Sequence, residues 1–432
     1  MSFLVLLLTI GVYLIRPAEW IPGLDLRWNL ILNVLGAVAV LWATITDRTR
    51  VVADRSWGFA VLFLVLMVVS NLVHAQVDTI GIYMPGMLTN ILIFLLVPIA
   101  LQTVRQADWF ILFLVGIVLF ICYQCYVQAT AGENWAGIPA LQRRSIELQP
   151  EGGPAIYTYT PQAVWVGVFK DPNDLGLLLV CFMPLAFAKT FFVKANLLTK
   201  TFWSATTGTL IYTIYLTNSR GTFVALLASV AAFFIIKYRS MVGLIVAATA
   251  GVVLITFGPS RLGSITSGDS AAMERVYAWI LALELFAMYP FFGIGARHWA
   301  DVHGRVTHNS YVLAFVENGF AAYVCYLAVF LIGMFVAVSV VFEESDTKRQ
   351  MTLTGLAACL AGCMASIFFI SRTYILVPYL ITSVVITYSK LTNPVVFDQA
   401  IKKMNIIILG AVAAASIVGV WIINRATTQL ML

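Results

Sequence analysis

Apolar runs of roughly 17 to 22 residues, separated by short charged clusters, recur along the whole chain, and this is the length of helix that crosses about 30 Å of hydrocarbon. Inside lipid every backbone amide must be satisfied within its own segment, so such runs are expected to be helices. Candidates stand at 3–15, 29–45, 57–74, 86–102, 108–129, 174–193, 201–217, 221–237, 241–257, 311–341 (long, tilted or bent), 351–370, 374–389 and 404–422. The first or last can lie at the interface, so about 12 spans are expected. The fold class is an all-α polytopic membrane protein, a single membrane domain over 1–432. Composition excludes a soluble enzyme: 11% of residues are charged, against about a quarter in soluble domains. No repeat, low-complexity tract or soluble domain is visible, and no nucleic-acid partner is expected.

Charge placement orients the spans. Lys and Arg in short loops mark the cytoplasmic side. Arg48/Arg50/Arg55, Lys189/Lys194/Lys200, Lys237/Arg239, Lys348/Arg349 and Lys390/Lys402/Lys403 fit one alternating pattern, which leaves 130–173 and 258–310 as two long outer loops. The run Leu4 to Ile15 has no positive segment before it and no small-residue cleavage site after Arg16-Pro17, so it reads as a retained helix. All six cysteines fall in apolar runs, so neither outer loop is expected to carry a disulfide. Cys122 and Cys125 have a metal-like spacing, but further ligands are missing and buried cysteine is common in apolar helices.

The first outer loop, rich in Gly, Pro and Tyr (Gly152, Gly153, Pro154, Tyr157, Tyr159, Pro161), is expected to be irregular backbone forming an ordered cap. The second is expected to open with turns, form a helix from about Ala272 to Met288, and end at Pro290, Gly293 and Gly295. Val276, Trp279, Ile280, Leu283 and Phe286 give that helix one apolar face, while Glu274, Arg275 and Glu284 disfavour crossing, so it is expected to lie along the interface.

Arg220, Arg261, Arg275, Arg297, Arg305 and Arg372 all map to the outer side, and no lysine stands in 258–310. A planar guanidinium holds phosphate oxygens bidentately and stays charged, so an arginine-only set points to a bound anion. Arg220 lies in the minimal turn Asn218-Ser219-Arg220-Gly221 between two apolar runs. Burying it at a helix centre would cost roughly 2.5 to 3.5 kcal/mol; it either snorkels at a span end or binds substrate. Arg372, between Ser371 and Thr373, has the same two readings, and Arg275 either faces headgroups or the anion. His298, His303 and His308, three of the four histidines, cluster in the second loop. Their spacing of five does not put them on one helical face, which disfavours a metal site. An imidazole, with an unperturbed pKa of about 6.5, suits a general base. His308 precedes Asn309, Ser310 and the apolar run that re-enters the membrane, at headgroup depth. Lys170, Asn173 and Asp174 begin the span after the first loop, where Asn173 or Asp174 is the expected helix cap and Lys170 and Asp174 are possible substrate contacts.

The stretch Phe169 to Gly176 with Asp171-Pro172-Asn173-Asp174, the Ser219-Arg220-Gly221 turn, and His308-Asn309-Ser310-Tyr311 followed by Glu317-Asn318-Gly319 resemble the O-antigen ligase family in order and spacing, over about 165 to 320. Related O-antigen polymerases and protein O-oligosaccharyltransferases share much of this pattern. The resemblance implies a GT-C-type glycosyltransferase of the bacterial inner membrane, with the loops periplasmic. It would take a glycan from an undecaprenyl diphosphate-linked O-antigen donor to a sugar hydroxyl of lipid A core, without metal or cofactor and with inversion. Carried over by position, Arg220 and Arg275 would hold the diphosphate and His308 would activate the acceptor. Lys170, Asn173, Asp174, Arg297, Arg305, Arg372 and Asn309 are further possible contacts. Two alternatives remain: polymerase or protein glycosyltransferase on the same scaffold, and a lipid-linked glycan flippase or transporter. The near absence of charge inside the apolar runs and of repeat halves disfavours the latter.

Overall fold

The computed structural model describes residues 2–21, 23–24, 28–46, 54–147, 156–241, 243–246, 248–249, 251 and 270–431. Much of the expected span 241–257, and Arg261, lie outside the described residues. In chain order the elements are α1 (Ser2–Ile15), α2 (Trp28–Ile45), α3 (Arg55–Val73), α4 (Val77–Ala100), α5 (Val104–Ala131), β1 (Leu141–Glu147), β2 (Ile156–Gln162), α6 (Pro172–Val180), α7 (Met183–Phe191), α8 (Leu197–Thr217) and α9 (Arg220–Tyr238). They continue with α10 (Ser270–Met288), α11 (Trp299–Val302), α12 (Ser310–Glu343), α13 (Thr347–Ile367), α14 (Leu376–Thr392), α15 (Pro394–Lys403) and α16 (Ile406–Met431).

Among the described residues nine helices are long and apolar enough to cross a membrane, and Leu30–Ala43 and Leu376–Thr392 are shorter apolar helices. The outer surface suits lipid: Ile45, Ile82 and Ile407 are 79%, 68% and 73% exposed, which hydrocarbon tolerates and water does not. α12 is the central helix, packed on α3, α13, α14, α15 and α16. Its buried aromatics interlock edge to face, with ring centroids 5.6 Å apart for Phe315 and Tyr323 and 4.9 Å for Tyr326 and Phe330. α13 approaches α6 and α9 through small residues: a Cβ on Gly362 would stand 2.6 Å from Val180 and 2.8 Å from Ser229. Close approach over small residues is how helices gain contact where lipid gives no hydrophobic drive.

The long run expected at 311–341 is one helix broken at Gly319, whose φ of 79° lies outside the helical region. Phe320 N donates to Pro290 O (2.8 Å) and Ile294 N to Val316 O (2.9 Å), so residues 290–294 are strapped across the break and take up the backbone groups it frees.

The first loop differs from the irregular backbone expected for it. β1 and β2 pair antiparallel from Leu141↔Gln162 to Glu147↔Ile156, because Ile156-Tyr157-Thr158-Tyr159-Thr160 is a run of β-branched and aromatic residues that outweighs the neighbouring Gly and Pro. Arg144 lies 3.8 Å from the ring centroid of Tyr157 across the hairpin. Gln128 on α5 ties the loop down: its Nε2 donates to Ile138 O (2.9 Å) and its Oε1 accepts from Val164 N (3.0 Å).

Arg55, Lys189, Lys237, Lys348, Lys390 and Lys402 gather at one end of the bundle. Arg55 donates to Met404 O (2.8 Å) and shares a cavity with Lys402, and Lys390 lies in the field of Asp54. Tyr388 joins α14 to Asp108 beside Lys189 and Lys348, and Lys237 lies over the Phe192 ring after α7. The hairpin, α10, α11 and the turns at 171, 219, 309 and 371 gather at the other.

Candidate functional site

Three helix N-termini meet at this second end. Asp171 caps α6, its Oδ1 accepting from Asn173 N (2.7 Å); Ser219 caps α9 through Thr222 N (3.2 Å). Asn309 caps α12, accepting from Tyr311 N (2.9 Å) and Val312 N (3.2 Å). The expected cap of α6 at Asn173 or Asp174 is therefore corrected to Asp171. The reason is local: Pro172 takes the first helical position, where its fixed φ suits the helix and its missing N–H costs nothing.

Asn173 and Asp174, freed from capping, connect the elements. Ser219 Oγ donates to Asn173 Oδ1 (2.6 Å), joining the starts of α9 and α6. Gly176 and Gly221 make this approach possible, since a Cβ on Gly176 would run into Thr222 and one on Gly221 would stand 3.1 Å from Phe369. Asp174, 1% exposed, accepts from Arg372 Nε at 2.8 Å on both oxygens and from the terminal nitrogen at 2.6 Å. This pairing holds the Arg372 guanidinium above its ordinary pKa against the opposing effect of burial. Arg372 N donates to Ser310 Oγ (2.8 Å), so one chain of contacts runs from α9 through α6 and the 371 turn to α12. The hairpin closes the other side: Gln162 Nε2 donates to Thr217 O and Asn218 O at 3.0 Å, and Asn218 Nδ2 to Pro161 O at 2.8 Å. Arg220, half-buried at the first position of α9, follows directly on that pinned turn.

His308 sits where this framework opens. Its backbone is left-handed, with φ 52°, a conformation that costs a non-glycine residue of order 1 to 3 kcal/mol and persists only where neighbours impose it. They do so here: Thr307 Oγ1 contacts Ser371 Oγ (2.7 Å) and donates to Asn309 O (3.0 Å), while Trp279 Nε1 donates to Thr307 O (2.8 Å). Arg275 lies one turn before Trp279 on α10, so the face that carries Trp279 to Thr307 brings Arg275 to His308. Burial, then the positive charge of Arg275, push the imidazole below its usual pKa, against the opposing pull of Asp171 and Glu274, and Arg143 of β1 lowers it further. The ring is half-buried and has no hydrogen-bond partner among the described residues. The other histidines are engaged: His74 with Gly293 O (2.7 Å), His298 with Thr79 and Asp301 (2.8 and 2.6 Å), His303 with Arg305 O (3.0 Å).

The remaining sequence candidates have other partners. Lys170 is 3.7 Å from Glu19, in the short turn Pro17–Glu19 that follows α1. Arg305 pairs with Glu274, the neighbour of Arg275. Arg297 lies 4.7 Å from the ring centroid of Tyr374 and 5.3 Å from that of Tyr83. Glu317 serves the break in α12: it is 2% exposed and accepts from Trp299 N (3.0 Å) and Tyr374 OH (2.6 Å), while Asn318 Nδ2 donates to Tyr374 OH (2.7 Å). Arg143 and Glu274 also reach the field of His308; the sequence pointed to neither as a site residue, and Glu274 entered only as a charge that disfavours crossing. The Arg143-Arg144 pair in an outer loop was the available signal for the first.

Among the described residues the site thus brings together a histidine without a hydrogen-bond partner, cations on separate elements and three helix N-termini, an arrangement whose charge suits an anion. Residues 205–327 match a family model described as O-antigen ligase, a stretch that contains Arg220, Arg275 and His308. No curated protein matches the chain.

Proposed function

We propose that this chain is a member of the O-antigen ligase family, whose model residues 205–327 match, and that it transfers a glycan from undecaprenyl diphosphate to a sugar hydroxyl of lipid A core, at a site facing the periplasm of a bacterial inner membrane. The observation that carries the reading is His308: half-buried, left-handed, without a hydrogen-bond partner among the described residues, and in the field of Arg275. A neutral imidazole beside a guanidinium suits a reaction in which a hydroxyl loses its proton while a phosphate leaves.

In this mechanism the acceptor oxygen attacks the anomeric carbon, its proton passes to His308, and the bond from that carbon to the diphosphate oxygen breaks. Undecaprenyl diphosphate departs with the electron pair. Arg220 and Arg275 neutralise the charge that develops on it, with Arg143 a third cation, so the chemistry proceeds without a metal. A single displacement inverts the anomeric centre. Asn173, Asp174, Asn309 and Arg372 position these groups through the contacts between helix starts. The architecture that goes with it is GT-C-like with about twelve spans, the two loops lying outside and α10 along the interface.

The test is transfer by the purified protein from an undecaprenyl diphosphate-linked glycan to lipid A core, with and without chelator, for wild type and His308→Ala. Chelator-resistant transfer that the variant loses while still binding donor supports the reading. Transfer only to a second donor molecule, or only to a protein, replaces it with a polymerase or protein glycosyltransferase.

A further inference from the structure

The end of the bundle opposite the candidate site holds a cavity of about 740 Å³ between α5, α7, α8 and the start of α13, lined by Lys189, Lys194, Lys348 and Asp108 together with apolar residues such as Leu112, Leu198, Phe202 and Trp203. We propose that it binds the phosphate of an anionic glycerophospholipid from the leaflet at that end, with an acyl chain along its apolar wall.

Lys189 is the first argument. A lysine near the end of a span ordinarily extends its ammonium to water, yet Lys189 is only 8% exposed and lines the cavity. No carboxylate lies within ion-pair distance of Lys189, Lys194 or Lys348 among the described residues, where the ion pairs are made by other groups. Asp108, the one acidic lining residue, accepts from Tyr388 OH at 3.4 Å and leaves two of the three positive charges uncompensated. Three ammoniums converging on one cavity attract an anion.

The apolar wall selects a lipid over a free ion. Phe202 and Leu198 are 41% and 79% exposed on α8, so the wall runs from the lysines onto the outer surface of the bundle. A phospholipid satisfies both halves, its phosphate among the lysines and a chain against Leu112 and Phe202. Inorganic phosphate uses only the first. Basic clusters at the ends of spans bind anionic headgroups with a gain at each lysine.

Native mass spectrometry of the full chain, purified in neutral detergent and titrated with phosphatidylglycerol or phosphatidylcholine, tests the inference. Wild type is expected to retain one phosphatidylglycerol at least tenfold better than phosphatidylcholine. The double variant Lys194→Gln/Lys348→Gln, on exposed positions, and separately Lys189→Gln, should each abolish that preference. A preference for phosphatidylglycerol that survives both variants would overturn the site, as would equal retention of the two lipids by wild type. Competition by millimolar inorganic phosphate as effective as that by phosphatidylglycerol would overturn the lipid assignment.

Discussion

Arg372 and Asp174, 198 positions apart in the chain, form a forked pair in which both carboxylate oxygens accept from the same guanidinium, at 2.6 to 2.8 Å. Asp174 is sealed at 1% exposure while the arginine keeps 35% of its side chain exposed. The pair therefore ties the turn before α14 to the start of α6 and still presents a cation at the rim of the site.

Breaking it leaves a buried carboxylate without its charged donor. Arg372→Ala is expected to lower stability by roughly 1.5 to 3 kcal/mol, the range for hydrogen bonds to charged groups. Asp174→Ala should cost a similar amount, and the double variant markedly less than the sum, because each single change already removes the shared interaction. Thermal unfolding of the purified protein in one detergent measures all three. Additive losses would mean that the two residues act independently.

The environment of His308 predicts a pH profile. A general base must be neutral to accept a proton, so transfer should fall as the medium is acidified through the imidazole pKa, which lies below its ordinary 6.5. Arg275→Gln removes one of the charges that depress it, so the acid limb of kcat/KM should move to higher pH without reaching the ordinary value, because burial remains. His308→Ala should lose about 10²- to 10⁴-fold in kcat and the acid limb with it. An unchanged limb in that variant would assign the titration to another group.

Arg220 and Arg275 are predicted to act on the diphosphate. Alanine at either position should reduce kcat/KM for the lipid-linked donor by about 10- to 100-fold, and lysine should restore only part of it, since an ammonium cannot form the bidentate fork. Steady-state kinetics with donor and acceptor varied separately distinguish this from an acceptor role, in which KM for the acceptor alone would change.

Gly319 is predicted to be intolerant of any side chain. Its φ is 79°, and an added Cβ would run into the backbone of Phe291 and Phe292, so Gly319→Ala combines a strained conformation with a steric clash and should destabilise by more than 1 kcal/mol. Gly116, where a Cβ meets nothing within 4 Å, is a control whose substitution by alanine should leave the unfolding temperature nearly unchanged.

The reach of the sequence differs by element. Runs such as 108–129 and 351–370 were legible as helices because in lipid an apolar run of that length has no other way to satisfy its amides. The motif resemblance over about 165 to 320 overlaps the matched 205–327, because Arg220, His308 and their neighbours stand in short, ordered segments. The hairpin at 141–162 was not legible: its Gly and Pro residues read as irregular backbone, while its strands depend on pairing across the loop and on Gln162 reaching the α8 turn. Nor was the capping role of Asp171, or the service of Glu317 and Asn318 to the break at Gly319. By itself the sequence determined the class of fold, the helical runs and the arginine bias of one side, all consequences of local composition acting against a fixed solvent. Only the tertiary structure decided that Arg372 belongs with Asp174, that Trp279 brings Arg275 to His308, and that Lys170 and Arg305 are paired elsewhere. Contacts between residues tens or hundreds of positions apart depend on which helix ends meet, and chain order alone does not encode that.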